Sequence, residues 1–358
     1  MERTVLLRGF ALVALLVWQG CSPTYVLRAG WEEVRILSAR RPIDEVVHDT
    51  TAPPELRAKL RLVQDARGFA ERSLGLRAGD SFTSFSELSR DTLAINISAA
   101  PEFGLYWKTW WFPIVGRVPY KGYFDFEQAF EEAASLEADG FDVSVRPVSA
   151  FSTLGWFPDP ILSTTLRLDS LSLVETVIHE ITHTTFFPSG QANFNESFAN
   201  FVGSRGAIAF YCDAVTDEEL CERAQLRWED TREFGRFFTW LVEPLRQAYA
   251  SDLSDEGKRE RKREIFREAA ERFETEVKPL LRAGRYGSLD PTSLNNAWVL
   301  ARLLYYSRLD DFERVYEQSG SLELSVQAVF REAAQGDAWE ALDRLIGETA
   351  STRTQELP

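Results

Sequence analysis

Apolar positions recur at three- and four-residue spacing through the early part of the chain. In "PPELRAKLRLVQDARGFAERSLGL" the residues Leu60, Val63, Ala66 and Phe69 share one stripe, and "WEEVRILSARRPIDEVV" before it has the same period. Both stretches predict amphipathic helices. From about Thr92 the pattern shortens to alternating or aromatic runs broken by Gly and Pro: "TLAINIS", "FGLYWKTWWFPIVG", "VPYKGYF" and "FDVSVRPVSAF". These predict strands. One helix interrupts them, with Asp125 as N-cap, Ala129, Phe130 and Ala133 on its apolar face and Gly140 as its stop. Beyond about Ser172 the helical period returns and runs through Leu345, with starts near Thr216–Glu219 and Ser254–Gly257. The order is α+β: helices, a small mixed sheet, then a helical region. It divides the chain into an α+β subdomain over 21–171, a helical subdomain over 172–350 and a frayed tail over 351–358.

Residues 1–20 depart from both patterns. Arg3 and Arg8 precede an apolar stretch from Gly9 to Val17, and Gly20 stands directly before Cys21. This is the layout of an export signal, with an apolar stretch shorter than the roughly 20 residues of a spanning helix. A small residue before a cysteine matches bacterial lipoprotein processing, in which Cys21 becomes the lipidated first residue. Trp18 stands where such sites usually carry Leu, so a plain signal peptide is the alternative. Ser22, rather than Asp, resembles lipoproteins sorted to an outer membrane. The expected location is therefore the outer membrane, facing the periplasm. In that oxidising compartment Cys212 and Cys221 are either a disulfide or two separate buried thiols.

Composition narrows the function. A hydrophobic fraction of 44% with 10 Trp and 25 Phe is that of a packed protein, not a disordered one. The net charge of -15 excludes nucleic acid as a partner. The basic run "KRERKR" at Lys258 to Arg263 is interleaved with glutamates and reads as a solvated helix face.

Only three histidines are present, His48, His179 and His183, and two of them flank a glutamate in "IHEITH". Ser172 and Glu175 resemble a capping box, and the following "LVETVIHEITHTTFF" runs to Pro188 and Gly190, which places the motif inside a helix. Residues four apart share a face, so both imidazoles can meet one cation. Glu180, turned about 100° from His179, reaches the side where a water sits. Zinc favours neutral imidazole nitrogen, a catalytic site keeps one position open, and a carboxylate is needed to receive the proton of water. In a chain so poor in histidine this pattern arises by chance on the order of a few times in a thousand, which makes coincidence a poor account of it. One Zn²⁺ per chain is the expected cofactor.

With no histidine left nearby, the third ligand is expected to be a carboxylate. Glu196 in "QANFNESFANFVG" lies 13 residues after His183, at the start of another amphipathic helix. A helix, a turn through Pro188 and Gly190, and a returning helix would place it against the His pair. Two alternatives stay open: Glu196 as capping-box partner of Asn193, and Glu175 as the ligand. Asn200, one turn beyond Glu196, is a candidate to support the ligands. Tyr120, Tyr123, Tyr305 and Tyr306 are candidate donors to an oxyanion.

"IHEITH" with "FNESFANFV" resembles a bacterial family of zinc aminopeptidases, often lipoproteins, within the gluzincin metalloproteases. The resemblance extends over "GCSPTYVLRAGW", "RRPIDEV", "FPIVGRVPYKGYFD", "AFSTLGWFPDPILST" and, more faintly, "LNNAWVLARLLYY", or Gly20 to about Tyr306. It implies a zincin-like metalloprotease fold, His179, His183 and Glu196 as zinc ligands, Glu180 as general base, and a peptide as substrate. The chain departs from the family at Phe151, where Tyr is usual, at Gly203, often Glu, and at Trp111 and Arg117, a cysteine pair in the family. In zincin-type proteases an edge strand lines the cleft, and "ILSTTLRL", Ile161 to Leu168, alternates like one. The Gly-x-Met-Glu-Asn motif of well-known gluzincin aminopeptidases is absent, since Met1 is the only methionine. The rival reading is a non-catalytic envelope lipoprotein whose zinc site is structural or vestigial and whose surface binds a partner.

Overall fold

A computed structural model of the chain describes residues 35–88, 92–112, 116–148 and 159–347. The export signal with Cys21, the position Phe151, most of the "STLGWFPDP" segment and the tail after residue 347 lie outside them. The protein is α+β, mostly helical with small sheets.

The N-terminal part contributes β1 (Arg41–Pro42), α1 (Ile43–His48) and α2 (Pro54–Leu74). Helix α2 opens with Pro at its first position and stops at Gly75, whose φ of 65° is open to glycine at little cost. Its stripe of Leu60, Val63, Ala66 and Phe69 is buried. Then come β2 (Ser84–Ser86), β3 (Ala94–Pro101), β4 (Trp110–Phe112), β5 (Gly116–Val118), β6 (Lys121–Tyr123), α3 (Phe126–Ala138), β7 (Phe141–Val148) and β8 (Ile161–Leu162). The principal sheet is antiparallel in the order β6-β3-β7, in register from Ala94 opposite Val148 to Pro101 opposite Phe141. One face packs on α3 through Ile95, Ile97, Ala99 and Val143. Asp125 caps α3 as expected, accepting from the amides of Glu127 and Gln128, but Phe130 is exposed. In the β4–β5 hairpin Trp111 and Arg117 face each other directly.

The helical part is α4 (Ser170–Thr185), α5 (Ala192–Ala209), a π-helical turn at 210–214, α6 (Glu218–Ala250), α7 (Asp255–Arg272), α8 (Asn296–Tyr306), α9 (Leu309–Ser319), α10 (Leu322–Ala333) and α11 (Ala338–Ile346). No described helix is long and apolar enough to cross a membrane.

Several sequence expectations are corrected. One cluster spans the expected boundary after residue 171: Leu60 and Val63 of α2 bury with Val174 and Ile178 of α4 and Phe312 of α9. The expected strand from Ile161 to Leu168 is two residues long. It pairs in parallel with β2, and the chain then enters a 3₁₀ turn at Thr165–Arg167 with Thr164 already in the helical region. Helix α4 is capped by Asp169, which accepts from the Ser172 amide, and not by a Ser172–Glu175 box. Asp217 rather than Thr216 caps α6, while Ser254 caps α7 as expected. The basic run on α7 is tied to its own glutamates, Arg261 to Glu264 and Glu268 among them. Three of its cations reach outside the helix: Lys258 donates to the Tyr249 carbonyl at 2.9 Å, Arg259 pairs with Glu102 at 2.7 Å, and the buried Lys262 reaches Asp142 on β7 at 2.6 Å, fastening the helix to the sheet.

Candidate metal centre

Helices α4 and α5 form an antiparallel hairpin whose turn contains Gly190 at a φ of 78°. The two backbones nearly touch. A Cβ on Gly203 would lie 2.7 Å from the carbonyl oxygen of Glu175 and 3.3 Å from Cβ of His179, and one on Gly206 would lie 2.9 Å from Ile178. Glu196 precedes Gly203 by seven residues, two turns or about 10 Å of helix, which brings it level with the His pair on α4.

The result is a tight triad. Nε2 of His179 and Nε2 of His183 are 3.1 Å apart, and Oε2 of Glu196 stands 3.4 Å from the first and 3.6 Å from the second. The three groups can hold a metal ion. The alternative of Glu196 as capping-box partner of Asn193 is not realised: α5 begins after Gln191 with no side-chain cap, and the carboxylate lies beside the two imidazoles. Glu175 turns away from the triad toward Arg285 at 3.8 Å and Arg227 at 3.9 Å. His48 lies in α1, with its Nδ1 bonded to the Asp44 carbonyl.

Electrostatics at the triad follow from burial and proximity. Burial by itself raises the Glu196 carboxyl, yet the charge of His183 and the hydrogen bonds from both imidazoles overcome it and hold the group far below the usual carboxylate range. Conversely, burial lowers His183, but Glu196 more than offsets this and raises it. Nδ1 of His183 is buried with no hydrogen-bond partner. Glu180 lines the same cleft, and burial raises its carboxyl, opposed by His179 and His183 and assisted by the charge of Glu196.

The cleft has a volume of about 580 Å³ and lies between α4, α5, α8 and the face of the sheet not covered by α3. Asn96 and Arg146, paired across β3 and β7, line it from the sheet side. Tyr120, Tyr305 and Tyr306 line it as well, whereas Tyr123 is buried among the residues packed on α3. Tyr305 stacks loosely on His179, with ring centroids 6.3 Å apart and ring planes inclined at 29°. Tyr120 lines the cleft with 40% of its surface accessible. Desolvation there, with the charges of Glu196 and Glu180, pushes its phenol up to about 12. Tyr305 is raised further, by burial first and Glu196 second. Asn200 lines the cleft but makes no hydrogen bond to the triad. Its amide donates to the Tyr305 carbonyl at 2.8 Å, while Ser197 donates to the Leu304 carbonyl and accepts from the Ser307 amide. Helix α5 thus carries Glu196 of the triad and also fixes the end of α8 that presents Tyr305.

Cys212 and Cys221 are joined by a disulfide linking the π-helical turn after α5 to the first turn of α6. Arg146 and Arg285 were not among the sequence candidates. Arg146 had a signal: the alternation of "FDVSVRPV" places it with Asp142 and Ser144 on one polar face, which meets the helices rather than solvent.

The family model described as "Putative aminopeptidase" matches residues 24–356, and the chain belongs to that family. No curated protein and no solved structure matches the chain.

Proposed function

We propose that this chain is a zinc-dependent peptidase of aminopeptidase type with a zincin-like two-helix site, exported and held at a bacterial membrane by a lipid on Cys21. The carrying observation is the spacing of the donor atoms. Zinc with bonds of about 2.0–2.2 Å in a tetrahedral array separates its ligand atoms by roughly 3.3–3.6 Å, and here the three separations are 3.1, 3.4 and 3.6 Å. Two imidazoles and one carboxylate are also a donor set that leaves a fourth position open. When bound, the ion supplies Lewis acidity to a scissile carbonyl and to a water.

The protein side chains supply the rest. Glu180 accepts the proton of the attacking water and returns it to the leaving amine, the role for which a buried carboxylate beside the ligands is suited. Tyr120 and Tyr305, kept protonated by their surroundings, are placed to donate to the oxyanion of the tetrahedral intermediate. The polar face of β3 and β7 forms one wall of the cleft, and Trp107 and Phe124 give it apolar contact. The disulfide favours an oxidising compartment and so supports export.

The deciding experiment pairs peptides with free and blocked amino termini, assayed with and without a chelator. Chelator-sensitive cleavage confined to free amino termini is the expected result. Cleavage of blocked peptides alone makes the protein an endopeptidase, and no cleavage by zinc-loaded protein removes the enzymatic reading.

A further inference from the structure

The metal cleft continues into a second cavity of about 500 Å³ that shares Arg146, Arg285, Tyr305 and Tyr306 with it. Arg146 of β7 and Arg302 of α8 both face this cavity, and neither has a carboxylate partner among the described residues. Each lies over an aromatic ring instead: Arg146 at 5.3 Å from the centre of Tyr305, and Arg302 at 4.5 Å from that of Trp298. The cavity is also lined by Arg285 and by one carboxylate, Asp290, that forms no ion pair. Arg285 faces Glu175 at 3.8 Å, and Asp290 accepts from the amide and hydroxyl of Thr292 at 2.9 and 2.7 Å.

Two guanidinium groups without an ion-pair partner in one cavity are unexpected in a chain with 55 acidic against 40 basic side chains. Their mutual effect is unfavourable. Burial lowers the pKa of Arg302, and the positive charge of Arg146 lowers it further. Repulsion retained in this way indicates an anion that arrives from outside. A guanidinium matches a carboxylate with two parallel hydrogen bonds, and aromatic walls strengthen that pairing by excluding water. Tyr305 borders both regions, its ring stacked on His179 at 29° and lying under Arg146.

We propose that Arg146 and Arg302 form a carboxylate subsite that receives the leaving part of the substrate. The carboxylate is either the free C-terminus of a short peptide or an acidic side chain. This rests on the peptidase reading for the identity of the ligand as a peptide, but its test reads binding as well as turnover.

Calorimetry on Glu180→Gln, which holds substrate without turning it over, compares Ala-Ala-Ala with its C-terminal amide, and Ala-Glu-Ala amide with Ala-Gln-Ala amide. One acid is expected to bind about 10- to 100-fold more tightly than its neutral counterpart, and which pair differs identifies the source of the carboxylate. The difference should shrink toward unity when Arg302→Gln or Arg146→Gln is added, and Arg302→Lys should restore part of it. Equal affinity within both pairs, failure of all four peptides to bind at millimolar concentration, or a preference that survives both Arg→Gln changes overturns the subsite. The first comparison needs no arginine variant to fold. Wild-type kcat/KM separates the two readings. A protein that hydrolyses all four peptides equally keeps its peptidase function and loses the subsite, and one that hydrolyses none yet discriminates the acids keeps the subsite and loses the peptidase function.

Discussion

Gly203 and the carbonyl of Glu175 meet with no room for a side chain between them, since a Cβ on the glycine would lie 2.7 Å from that oxygen. This contact sets the distance between the helix carrying His179 and His183 and the helix carrying Glu196.

Gly203→Ala is therefore expected to cost about 1–3 kcal/mol of stability, the range for overpacking a close contact, because a backbone carbonyl cannot swing aside. It should also weaken zinc binding by pulling Glu196 from the imidazoles. Urea denaturation and a zinc competition titration check both. Unchanged zinc affinity would show that the crossing does not set the donor spacing.

Replacing His179 or His183 by Ala is expected to abolish stoichiometric zinc, and Glu196→Ala to weaken it strongly. Elemental analysis of the purified variants decides. Full occupancy in Glu196→Ala would mean that another carboxylate completes the site.

Glu180→Gln keeps the size of the side chain and removes the base. Peptide hydrolysis should fall by roughly 10²- to 10⁴-fold while zinc content and the thermal midpoint stay near wild type. Activity equal to wild type would remove Glu180 from the mechanism.

Acid stability should depend on Asp169. Burial alone would raise this carboxyl, but hydrogen bonds from Arg227 and Ser172 prevail and hold it at about 2, below the ordinary 3.8. A depressed folded-state pKa stabilises fully above the unfolded value and is lost as pH falls through the folded one. The stability difference between wild type and Asp169→Asn should thus be constant above about pH 4 and shrink toward pH 2. Half of the Asp169 side chain is exposed, so solvent screens the effect and it should be modest. Denaturation midpoints across this range are the measurement, and a difference independent of pH would assign the role of Asp169 to helix capping alone.

Cys21→Ser in the full-length precursor should release the protein from the membrane fraction or leave its signal uncleaved. Persistence with membranes after correct cleavage would exclude lipidation at this residue.

What the sequence determined by itself is local. The period of α2, the cap at Asp125, the strands β3 and β7 and the pairing of His179 with His183 depend on residues close along the chain, where helix and strand geometry dictate which side chains share a face. Glu196 was legible for a related reason, as a short turn between two amphipathic helices leaves few positions able to return to the His pair. Other features were decided only by tertiary packing. Asn200 was a candidate to support the ligands and instead holds the Tyr305 backbone, because its partner lies on a helix 105 residues away. Tyr120 and Tyr305 enter the cleft while Tyr123 is buried on α3, a difference set by which face of the sheet meets the helices. Arg146 and Arg302 share a cavity because β7 and α8 pack together across the molecule. No periodicity within either element encodes that meeting, since it arises from the burial of apolar faces elsewhere on the same strand and helix.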